Sequence, residues 1–217
     1  IASEFEDSSS TNENEKELNQ AIYLSNKYPQ IVEAVIIGNE TQVFWTSNKV
    51  NFDTLKKYIR FVKSKIQQPI TTADDFNFWN KPKGLELAKE IDFIMIHIHP
   101  HWAGTVLQEA VPFVERIYQE ISILYPQKQL VIGETGWSTS VHSIGQQAEL
   151  IKGKAGIFEQ YYYYKSINKW SKEKSIQTFI FEAFDEKWKG GDHPNEVEKH
   201  WGLFNSNRTP KHNLNNE

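Results

Sequence analysis

The chain has no cysteine among its 217 residues, which removes disulfides and thiolate metal ligation from consideration. It has no apolar run approaching the ~18 residues of a helical membrane span. It also lacks a dominant charge: the formal net charge is -4, with acids and bases mixed along the chain. That balance points to neither nucleic acid nor an anionic membrane as partner. No stretch has the order of a signal peptide, and no internal repeat is visible. The chain opens abruptly at Ile1 without a Met, which leaves room for an upstream segment, a signal included.

Aromatic side chains are plentiful, with 7 Trp, 9 Tyr and 13 Phe. They fit an aromatic-lined cleft, and they fit an aromatic-rich core equally well. With 39% hydrophobic residues, the chain can bury one sizeable core and is short for two full domains. Residues 1–217 are therefore expected to form a single domain.

Helical and strand patterns alternate along the chain. After a polar loop over 4–14, the spacing predicts helices over 15–28, 51–66, 83–90, 105–125 and 143–170. The last is expected to break near Gly153 or Gly156. Strands are predicted over 31–37, 69–72, 92–97, 129–133 and 175–181. Residues 76–79 read as an aromatic loop, and 212–217 as a frayed end. Short apolar strands separated by helices are the pattern of a parallel sheet with right-handed crossovers. Sites in such folds lie at the carboxyl ends of the strands.

Two of those ends stand out. Residues 34–40 read AVIIGNE and residues 130–139 read LVIGETGWST. Each is an apolar strand that reaches a glycine and then a carboxylate, Glu40 or Glu134. Glycoside hydrolysis needs two carboxylates flanking the scissile bond. The residues alone leave a second reading open, in which both are structural acids bonded to loop backbone. His97, His99 and His101 alternate along HIHPHW and fall on one side of an extended chain, so a metal-dependent hydrolase is a further alternative. Asp74 and Asp75 suit capping of the next turn as well as sugar contact.

GNE at 38–40 and GETGWST at 133–139 resemble the two active-site signatures of glycoside hydrolase family 17, the β-1,3-glucanases, lichenases and related transglycosylases. PITTAD, HIHPHW, FEAFDEKWK and EKHWGLF resemble further segments of that family in the same order. The resemblance implies a (β/α)8 TIM barrel, here lacking its first three strands, with strands four to eight present as a partial barrel. It implies a retaining enzyme acting on β-1,3-linked or mixed-linkage glucan. Glu40 would be the general acid/base, its proton held near neutral pH by a neighbouring negative charge or apolar walls. Glu134 would be the nucleophile. Asn39, His97, His99, Glu186, Lys189 and Glu198 would meet substrate or form a charged network beside it, and Trp102 and Trp137 would offer faces to sugar rings. The resemblance implies no cofactor or metal, and it favours an extracellular, cell-wall or periplasmic place that the residues themselves do not fix. A non-catalytic β-glucan-binding remnant of the same barrel is the other reading of the same motifs.

Overall fold

The computed structural model describes residues 8–47 and 49–212. They form an α/β fold of five short strands with helices between them. The strands are β1 (Val35–Asn39), β2 (Ile70–Asp75), β3 (Ile94–His97), β4 (Leu130–Thr135) and β5 (Thr178–Ile180), and their order in the sheet is the order in the sequence. The helices are α1 (Ser8–Lys27), α2 (Phe52–Lys63), α3 (Phe76–Trp79), α4 (Pro82–Leu87), α5 (Ala110–Leu124), α6 (Gln146–Leu150) and α7 (Ile157–Lys174). Among the described residues, no helix is long and apolar enough to cross a membrane.

The chain divides into two compact units. The first takes the residues up to His97 together with Glu120–Val131; the second takes Ile98–Gln119 and the residues from Ile132 on. In the first unit β1 pairs parallel to β2 and β2 parallel to β3, with Asp75 opposite His97 at the carboxyl end. Ile94 N donates to Gln129 O, so the start of β4 lies beside β3. All six residues of β2 are buried, and Ala73 packs with Met95 and Val131. Helix α2 covers this layer through Leu55, Ile59 and Val62, a stripe at helical spacing. Asn51 caps it, its side chain accepting from the amides of Asp53 and Thr54 at 2.9 and 3.2 Å.

In the second unit β4 pairs parallel to β5. Helix α7 buries Tyr163, Ile167 and Trp170, again one face of a helix. A second apolar cluster gathers Ile151, Val197 and Trp201, with Trp102, Val141 and Phe181 packed on it.

Several boundaries differ from the sequence reading. The helix expected from residue 15 begins at Ser8, so 8–14 are helical rather than loop; residues 1–7 lie outside the described residues. The first strand starts at Val35, because the amides of Ile31 and Val32 both donate to Tyr28 O and stay in the turn after Pro29. Residues 76–79 form one helical turn, capped as anticipated by Asp75, which accepts from Asn77 N at 2.8 Å. The long helix over 143–170 is two helices, α6 and α7, with Gly153 in the break. A Cβ at Gly153 would stand 2.5 Å from Thr105 O and from the Trp137 ring, so the chain there follows a path only glycine fits. Strand β5 is shortened to three residues, since Ser175 is left-handed and Ile176 N returns to Ser171 O.

Candidate active site

The first unit carries Glu40. Gly38 takes φ +84 and the pairing register with β2 shifts between Ile36 and Asn39, which turns the chain at the end of β1. A Cβ at Gly38 would also meet Leu55, Thr72 and Thr41 at 3.2–3.3 Å. Glu40 itself has φ +50, a region few side-chain-bearing residues adopt, and its amide is held by Ala73 O at 2.9 Å. Strain of this kind concentrates where a side chain must be aimed. The carboxylate is aimed at His97: Nδ1 of His97 lies 3.0 Å from Glu40 Oε1. Asn39 stands exposed beside it.

The loop beyond Glu40 is tied down by Asp74. One Asp74 carboxylate oxygen accepts from Gln42 N at 2.8 Å and the other from Asp75 N at 2.9 Å. Asp74 is fully buried, and burial, with a smaller contribution from the Glu40 charge, pushes its carboxyl up to about 7. It is a structural clamp rather than a sugar contact.

The second unit carries Glu134 on β4, one residue before the strand ends. Ile98 N donates to Glu134 O at 2.9 Å, and His99 Nε2 lies 3.3 Å from Glu134 Oε2. The His99 ring is edged by Phe181 and Trp201, with ring centres 5.5 and 5.4 Å away. Gly136 lets the segment after β5 approach: a Cβ there would fall 2.0 Å from Phe181 O. Trp102 Nε1 donates to Glu198 at 3.2 Å. Burial raises the Glu198 carboxyl above the ordinary glutamate value, against the pull of His99, the Trp102 hydrogen bond and Lys189. Lys189 bridges Glu182 at 2.8 Å and Glu186 at 2.5 Å and sits over the Phe181 ring. Burial acts to lower the Lys189 ammonium, but its bonds to Glu182 and Glu186 hold it above the usual lysine value. Burial raises Glu182 in turn, partly offset by Lys189.

Two anticipated sugar contacts need correction. Trp137 is 1% exposed, stacked on His101 at 4.0 Å with its N–H on Lys154 O, so it has no face to offer a sugar. The side chain of His97 is 1% exposed and meets Glu40, so it has no surface to offer a sugar. The three-histidine metal reading fails at His101. That ring is fully buried, with Nδ1 on Ser138 and Nε2 on Gly153 O. Glu182 lies within FEAFDEKWK but was not singled out there; its ion pair with Lys189 brings it into the network.

Residues 2–202 match the BtgE/BtgC glycoside hydrolase domain. Over 85% of the chain, the sequence is 31% identical to a glucan 1,3-beta-glucosidase of Schizosaccharomyces pombe, of which it covers 58%. The fold is similar to that of an endo-laminarinase from Formosa Hel1_33_131, with a TM-score of 0.74 and 24% identity over 88% of this chain and 59% of that one. It is also similar to a glycoside hydrolase family 17 beta-1,3-glucanosyltransferase from Rhizomucor miehei, with a TM-score of 0.69 and 23% identity over 89% of this chain and 69% of that one.

Proposed function

The chain belongs to the BtgE/BtgC glycoside hydrolase domain family, a glycoside hydrolase family 17-like group, and from that membership we propose that it acts on β-1,3-linked or mixed-linkage glucan as a retaining hydrolase or transglycosylase. The observation that carries this reading is the matched pair of carboxylates. Glu40 and Glu134 stand one or two residues after a glycine at the carboxyl end of a parallel strand, and each has a histidine nitrogen on its carboxylate. Residues 1–217 serve in this reading as one catalytic domain, since the family match runs through both units. The five strands correspond to strands four to eight of a (β/α)8 barrel, a reading supported by their parallel succession and by the folds they resemble.

The chemistry is a double displacement. Glu134 attacks the anomeric carbon while Glu40 passes its proton to the leaving glycosidic oxygen, which forms a glycosyl ester on Glu134. Glu40, now a carboxylate, takes a proton from water or from a sugar hydroxyl, and that oxygen displaces Glu134 with net retention. Asn39, His99, Trp102, Glu186, Lys189 and Glu198 contact the glucan or set the charge around it. His97 orients Glu40. The relatives' names supply the substrate class.

The test is turnover of laminari-oligosaccharides, with product anomers followed by NMR. The wild-type chain is expected to release β-configured products, and Glu134→Gln to release none. Glucan binding without turnover by the wild type would make the chain a binding module. Wild-type rates in Glu134→Gln would remove Glu134 as nucleophile.

A further inference from the structure

His101 belongs to none of the roles above, yet the second unit buries it completely and uses both of its ring nitrogens. Nδ1 lies 3.2 Å from Ser138 N and 3.1 Å from Ser138 Oγ. Ser138 N–H can only donate, so Nδ1 carries no proton and Nε2 carries it. Nε2–H then donates to Gly153 O at 3.0 Å. The ring is stacked on Trp137, with centres 4.0 Å apart and planes 13° apart. Each bond requires the neutral imidazole. A proton on Nδ1 would set two N–H groups against each other in a site closed to water. Burial keeps that proton away, lowering the ring to about 4.

The place of this clasp in the chain gives it a purpose. His101 is two residues from His99, and Ser138 is four residues from Glu134. The two segments are joined once by Ile98 N to Glu134 O at 2.9 Å and again by His101 to Ser138. Between these two joints lies the His99–Glu134 contact at 3.3 Å. One joint leaves the two segments free to pivot about it; two joints remove the pivot. We propose that His101 is a positioning residue, a neutral clasp that fixes the 97–102 turn to the 133–139 loop so that His99 is held on Glu134. The Ser138 backbone N–H is one of its donors, so proline at position 138 would break it.

The role deepens the glycosidase reading and rests on it, and two amides separate it from simple packing. In His101→Asn the side-chain oxygen falls near the Nδ1 position and can still accept from Ser138. In His101→Gln the amide N–H reaches toward Gly153 O instead, and the Ser138 joint is lost. Both variants bury an uncharged amide of similar size, so a loss of stability from burial is common to both. Their difference is read in two ways on the full chain: the imidazole 15N signals of His99, assigned with His99→Gln, and kcat and KM on laminari-oligosaccharides. The expected result is a displaced His99 signal in His101→Gln with kcat down at least tenfold and KM within about threefold. His101→Asn should restore the His99 signal and recover most of that kcat. Ser138→Ala keeps the N–H and removes one donor; it should give a smaller displacement in the same direction, which keeps the proposal testable if His101→Gln does not fold. Equal losses in the Asn and Gln variants, or an unmoved His99 signal in His101→Gln and Ser138→Ala, would overturn the clasp. An inactive wild type would remove the glycosidase reading instead, while the His99 signals would still decide the clasp.

Discussion

Each proposed catalytic carboxylate is held from two directions, by its backbone and by a histidine. Glu40 keeps a left-handed backbone at φ +50, with its amide on Ala73 O and its carboxylate on His97. If Glu40 is the acid, its importance depends on how much help the leaving group needs. Glu40→Gln is expected to slow laminarin-type substrates by roughly 10²–10⁴-fold. A nitrophenyl glucoside needs little protonation of its leaving oxygen, so its first step should be far less affected. The ratio of kcat/KM between the two substrates is the measurement, and equal losses on both would remove Glu40 as acid. The Lys189 bridge makes a second residue-scale prediction. Glu182 and Glu186 share one cation at 2.8 and 2.5 Å, so Lys189→Met leaves two acids facing each other. KM for glucan should rise in Lys189→Met, and a KM unchanged from wild type would assign the network to stability alone.

At the scale of elements, caps and close approaches decide where the site residues stand. Asn51 caps the helix that covers β1 and β2, and Asn51→Ala should lower stability by about 1 kcal/mol in urea unfolding, with little effect on turnover. Gly136 is more demanding. Any side chain there would overlap Phe181 O at 2.0 Å, and the Phe181 amide is held by Thr135 O at 2.8 Å, next to Glu134. Gly136→Ala is expected to separate β4 from the segment after β5. Near-ultraviolet circular dichroism of the Trp-rich second unit should report it as lost tertiary signal. Pro112, by contrast, is harmless: it is the third residue of α5, within the first turn, where no helical N–H partner is missed.

At the scale of the molecule, two buried titratable groups give opposite dependences on pH. Asp74 in the first unit is raised to about 7, so between pH 4 and 7 the folded state keeps a proton that the unfolded chain releases. Its contribution is therefore full below pH 4 and is lost as pH rises through 7. His101 in the second unit is lowered to about 4, so the unfolded chain takes up a proton that the folded state refuses. Its contribution is present above pH 6.5 and is lost as pH falls toward 4. Asp74→Asn should make stability rise more steeply, or fall less steeply, with pH across that window, and His101→Asn should do the reverse. Urea midpoints at pH 4.5, 5.5 and 6.5 measure both, and slopes unchanged from wild type would show that neither group titrates as described.

How much was readable beforehand depends on whether a residue's role is local. Alternating apolar strands and helices are local patterns, so the α/β class, the five strands and the break near Gly153 all follow from spacing. Glu40 and Glu134 stood out because each strand end carries a glycine and then, at once or one residue on, a carboxylate, and Asp75 as a cap needs only Asn77, two residues on. Asp74 and His101 have roles that depend on partners far along the chain, Gln42 and Ser138. Glu182 meets Lys189 only seven residues on, but in a segment with no helix or strand to set the spacing. Exposure is equally non-local. The sequence alone determined that Trp137 is aromatic and beside a carboxylate. Only the tertiary structure decided that the ring is buried against His101, because burial is a property of what packs around a residue and not of its neighbours in the chain.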